Sequence, residues 1–75
     1  MKIQVNGPAG NVLFDNWEYF PSVEALRACR KCGYPVEIKE KVLTIGAKTD
    51  PRAIRTYIAL DREAEEALIF LKLSL

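Results

Sequence analysis

Residues 34–46 read Y-P-V-E-I-K-E-K-V-L-T-I-G. Val36 and Ile38 alternate with Glu37 and Lys39, and after Glu40-Lys41 the apolar Leu43 and Ile45 flank Thr44. A period of two on both sides of a short charged break is the pattern of a β-hairpin with one apolar face. A lone two-stranded hairpin is marginal in water and needs cover. That cover has to come from the segments on either side, so this stretch decides the class of fold.

Upstream, Pro21-Ser22 opens a helix. Ser22 is a good N-cap, and Glu24 in the first turn suits the positive end of the helix dipole. Val23, Leu26 and Cys29 fall three apart, with Ala25 and Ala28 beside them, and form an apolar stripe. Arg27, Arg30 and Lys31 lie largely off it. Gly33 ends the helix in a left-handed cap and Pro35 prevents continuation. Residues 1–5 and 12–14 read as two further strands around the turn N-G-P-A-G-N. The G-P-A-G spacing lacks the Gly-Lys-Ser/Thr and the following helix of a phosphate loop. Trp17, Tyr19 and Phe20 concentrate the aromatic mass. They serve either as a lid over the core or, through Trp17 and Tyr19, as an exposed contact of the type favoured in binding hot spots.

Downstream, Asp50-Pro51 combines an N-cap with a first-turn proline, and Ile54, Tyr57 and Ile58 follow at helical spacing, so a second helix is expected. Asp61 interrupts that face. It caps a third helix over about 62–73, with Ala64, Leu68 and Leu71 inward and Ile69 or Phe70 alongside; one long, bent helix is the alternative. The expected order is β-β-α-β-β-α-α, a small α+β domain spanning 1–75. Its N-terminal hairpin and aromatic segment (1–20) precede a helix, hairpin, helix, helix unit (22–73).

The composition is that of a globular protein, 49% hydrophobic and 28% charged. A chain of this size buries little more than ~60% of its unfolded surface, so the core is small. No apolar run approaches the ~18 residues of a membrane span. The first residues read as a strand and not as a leader, which makes a cytoplasmic protein the expectation. The net charge is +1. It is distributed unevenly, with residues 27–55 net basic between two acidic ends. Such a middle is either a solvated surface or an attraction for an acidic partner.

Catalytic chemistry finds little support. The chain has no histidine, hence no side chain with an unperturbed pKa near neutrality. Glu63, Glu65 and Glu66 read as the solvated first turn of a helix. No enzyme activity and no cofactor are expected. Cys29-Arg30-Lys31-Cys32 is a C-x-x-C. Two cysteines at this spacing supply half of a tetrahedral zinc site, which a second chain could complete. A redox role calls for a lowered thiol pKa, usual at a helix N-terminus, whereas this pair sits in a last turn. The third reading is a small apolar Cys29 with Cys32 as its neighbour.

Two binding readings remain. A hairpin edge can accept another strand, and Lys39, Lys41 and Lys48, with Arg27 and Arg30, would favour an acidic peptide. This reading fails if the N-terminal strands close both edges. The alternative is a small nucleic-acid-binding regulator using the same basic middle.

Residues 23–71 resemble the TubC-type N-terminal docking domain of modular nonribosomal peptide and polyketide synthetases. The resemblance rests on the apolar positions after Gly33 (Val36, Ile38, Leu43, Ile45), on Ala47, on Asp50-Pro51 with Ile54, and on Arg62-Glu63 with Leu68 and Leu71. Residues 1–20 have no counterpart and the loop before Asp50 is shorter. The resemblance implies a homodimer whose hairpin takes up a short acidic segment of a protein partner as an added strand, with Lys39 and Lys41 as contacts.

Overall fold

The computed structural model describes residues 1–15, 20–50 and 52–75. In chain order the elements are β1 (Ile3–Gly7), β2 (Gly10–Phe14), α1 (Val23–Lys31), β3 (Val36–Lys39), β4 (Val42–Ile45), β5 (Arg55–Ala59) and α2 (Arg62–Ser74). The five strands form one antiparallel sheet in the order β2-β1-β5-β4-β3. The α+β class and both hairpins are as the sequence implies. The expected order of elements is not: a strand, β5, stands where a second helix is expected. Trp17, Tyr19 and Pro51 lie outside the described residues.

The correction has a local cause and a tertiary one. Asp50 does cap a chain end, but of a turn: its Oδ1 accepts the Arg52 N–H at 2.9 Å, and Ala53 donates back to the Asp50 carbonyl at 3.1 Å. The residues that follow, R-T-Y-I-A, place Thr56, Tyr57 and Ile58 in succession, all residues that suit a half-buried pleated surface. Tyr57 and Ala59 are buried, whereas Ile54, expected on the inner face of a helix, is 41% exposed. A helix ending before Asp61 would be short and marginal by itself. As a strand, the segment bonds β1 on one side and β4 on the other, which stabilises it far more than a helical turn could.

Both helices pack on one face of the sheet. Ile3, Leu43, Tyr57 and Ala59 project into the core and meet Leu26 of α1 and Ala64, Leu68 and Leu71 of α2. Phe20 closes the cluster, its ring stacked on Tyr57 with centroids 6.2 Å apart. Helix α1 behaves as its caps imply. The Ser22 hydroxyl accepts the Ala25 N–H at 3.1 Å, and Gly33, at φ 89°, carries the chain out of the helix. Asp61 caps α2, so the single long helix is excluded. The expected inner positions Ala64, Leu68 and Leu71 are all buried, but Ile69 and Phe70 face outward and are exposed.

Asp61 also ties α2 to the sheet. One carboxylate oxygen accepts the Ala64 N–H at 2.9 Å and the other the Lys2 N–H at 2.6 Å. The Ala64 bond is the largest cause that holds its pKa below the ordinary aspartate value; partial desolvation opposes the shift, and the Lys2 bond adds to it. A depressed folded-state pKa contributes stability that is present above the unfolded value of ~3.9 and is lost as pH falls through the folded value. Urea titrations at several pH values therefore show stability falling on acidification below pH ~4. The Asp61→Asn variant, which still caps but does not titrate, shows a shallower fall. A second test concerns Gly46, whose N–H donates to the Pro35 carbonyl at 2.9 Å. A Cβ at Gly46 would stand 2.8 Å from the Pro35 ring. Gly46→Ala is expected to destabilise by about 1–3 kcal/mol, the usual cost of overpacking, in the same titration.

Candidate functional site

The hairpin that decides the fold class also supplies an edge of the sheet. Strand β4 is covered by β5, and among the described residues no strand pairs with the outer side of β3. The N-terminal hairpin therefore closes neither edge of β3–β4; it joins the sheet through β5. At the far end of the sheet the edge strand is β2, in which Val12 and Leu13 are exposed.

Register fixes which main-chain groups of β3 are available. Val36 pairs with Ile45, Glu37 with Thr44, Ile38 with Leu43 and Lys39 with Val42, across the two-residue turn Glu40-Lys41. Glu40 adopts a left-handed φ of 48° in that turn. In an antiparallel ladder the bonded and non-bonded pairs alternate. The bond from Gly46 N–H to Pro35 marks that pair as bonded. It follows that Glu37 and Lys39 direct their main-chain groups at β4, while the N–H and C=O of Val36 and Ile38 point outward. Their side chains do the reverse of those of Glu37 and Lys39: Val36 and Ile38 pack against the core, and Glu37 and Lys39 are exposed.

A shallow groove of about 590 Å3 lies beside the β3–β4 hairpin, lined by the cross-strand pairs Glu37/Thr44 and Lys39/Val42, by Glu40 and by Lys72 of α2. Two carboxylates and two ammonium groups balance along it. Lys39 already holds Glu37, Nζ to Oε1 at 3.0 Å. Both groups are largely exposed, so this pair is weak and exchangeable.

The other expected contacts are dispersed. Lys41 pairs with Glu65 of α2 at 3.0 Å. Arg27 donates to the Ser74 carbonyl at 2.6 Å and so links α1 to the end of α2. Lys48 sits 5.4 Å from the centre of the Tyr34 ring, a cation–π distance. Arg30 is exposed in the last turn of α1. Only Lys39 of the five borders the β3 groove. Lys72 does too, and nothing in the sequence signals it, because its position depends on how α2 docks. Cys29 is half-buried, Cys32 is exposed at the α1 C-cap, and both thiols are free. Among the described residues no three histidine, cysteine or carboxylate side chains gather to hold a metal ion. None of the described helices is long and apolar enough to cross a membrane.

No protein-family model, curated protein or solved structure matches the chain.

The outward orientation of Val36 can be checked by proline substitution. Val36→Pro removes an N–H that bonds nothing in the sheet, at the first residue of an edge strand, where proline is tolerated. Glu37→Pro removes a donor of the β3–β4 ladder. The melting temperature is expected to fall slightly in the first variant and steeply in the second; equal losses would mean that the register is wrong.

Proposed function

We propose that the protein is a non-catalytic binding module that takes up an extended segment of a protein partner as a sixth strand along β3. The supporting observation is the outer side of β3, which no strand among the described residues pairs with and toward which the main-chain groups of Val36 and Ile38 point. Main-chain bonds supply the affinity in strand addition, and alternate side chains of the added strand supply selectivity. Lys39 and Lys72 favour an acidic residue in the guest, which would replace Glu37 as the partner of Lys39. Glu37 and Glu40 limit that preference, so charge plays the smaller part. The proposal keeps the strand-accepting role that the docking-domain resemblance implies, without the synthetase context.

The test is selection from a displayed library of random peptides against the full chain. Selected peptides are expected to perturb the amide resonances of Val36 and Ile38 and to protect them from exchange. Val36→Pro is expected to weaken their binding by about tenfold or more. Peptides that map to another surface, or none selected, would overturn the proposal. Binding to generic duplex DNA that weakens steeply with salt would favour the nucleic-acid reading instead.

A further inference from the structure

Strand β5 carries a charge on its inward side. Tyr57 and Ala59 face the helices and are buried, and the pleat sets Arg55, two residues before Tyr57, on that same side. Arg55 stands at the end of the strand, opposite Ile45 of β4, and remains exposed. Among the described residues its guanidinium makes no ion pair and no side-chain hydrogen bond.

Arg55 lines three adjoining hollows. The largest, about 380 Å3, has walls that include Pro21, Cys29, Tyr34, Ile45 and Tyr57. Two smaller ones, about 240 and 260 Å3, share Val5 and Val12. Arg55 is the only charged residue among the described walls of all three. A mostly apolar cavity of a few hundred Å3 with few converging polar groups is the ordinary form of a small-molecule site.

The groups in the largest hollow select its ligand. Tyr34, Ile45 and Tyr57 supply apolar contact area, two of them through aromatic rings. The guanidinium offers a planar fork of donors that fits a carboxylate through two parallel bonds. Apolar walls beside that pair screen it less than open water does. Lys48, 5.4 Å from the centre of the Tyr34 ring, adds positive potential at the same wall. One guanidinium balances a monoanion, whereas a neutral ligand would leave it without a partner.

We propose that this cavity binds a small aromatic monocarboxylate, its ring against Tyr34, Ile45 and Tyr57 and its carboxylate paired with Arg55. The site lies on the helical side of the sheet, apart from the outer edge of β3, and does not depend on strand addition.

The test is an NMR titration of the full chain with phenylacetate, and with phenylacetamide as its uncharged counterpart. The amide resonances of Gly46, Ala47 and Arg55 are expected to shift with a Kd of ~1 mM, the scale for a ligand of ~10 heavy atoms in an open cavity. Phenylacetamide is expected to bind about tenfold more weakly or worse. Arg55→Met keeps an apolar stem and removes the charge at an exposed position, so it is expected to keep the circular dichroism spectrum and to bind both compounds equally weakly. The cysteines give a second readout in the unaltered chain. Phenylacetate is expected to slow alkylation of Cys29 by iodoacetamide, while Cys32, which does not line the cavity, keeps its rate. Equal binding of acid and amide by the unaltered chain overturns the proposal. So does perturbation confined to another surface, an unchanged Cys29 rate, or no shift at about ten times the expected Kd. Shifts of the same amides that grow with protein concentration in the absence of ligand would place a second copy in the cavity and overturn it as well.

Discussion

Strand β5 bonds β1 on one side and β4 on the other, and Tyr57 stands where the two ladders meet, opposite Val5 in the first and Leu43 in the second. Without that strand the molecule would consist of two hairpins, each marginal by itself. With it, a continuous sheet presents Ile3, Leu43, Tyr57 and Ala59 as one surface on which both helices can bury a stripe. The position of every other element follows. Helix α2 starts where β5 ends, and its cap, Asp61, reaches across to the Lys2 amide beside it. Strand β3 becomes an edge because β5 has taken the other side of β4.

That constraint explains which parts of the fold were legible in the sequence. The hairpin at 34–46, the first helix and the last helix were readable because their signals are local: alternation, an N-cap serine or aspartate, a glycine at a helix end. The central strand was not. Ile54, Tyr57 and Ile58 fit a helical face over so short a run, and Asp50-Pro51 looks like a helix start. What distinguishes the alternatives is the presence of two unsatisfied strand edges waiting on either side, and that information lies in residues 3–7 and 42–45. The exposed Ile69 and Phe70 have a similar origin. Residues 67–71 are all apolar, so the pattern alone does not say which of them point inward.

The candidate site was legible in part. The hairpin was identified as the place where a strand could be accepted, and its edge is open on the β3 side. The distribution of charge along the chain does not say which cations lie together. A net basic segment says how much charge lies in a stretch of chain, not where folding sends it. Arg27 turns to the end of α2, Lys41 to Glu65 and Lys48 to Tyr34, while Lys72, from an acidic segment, comes to the groove.

An open edge strand is a hazard as well as an opportunity, since it is a template for uncontrolled pairing. Two features limit the hazard here. Strand β3 is only four residues long, and its outward-facing neighbours are Glu37 and Lys39, held to each other at 3.0 Å. An arriving strand would have to break that exchangeable pair and offer its own charges in the right alternation. A generic apolar strand gains main-chain bonds but strands both charges beside it without partners. A strand with complementary charges regains what it displaces. The device that protects the edge from indiscriminate pairing is thus the same one that would give it selectivity, and both depend on β5 having left β3, rather than β4, at the margin of the sheet.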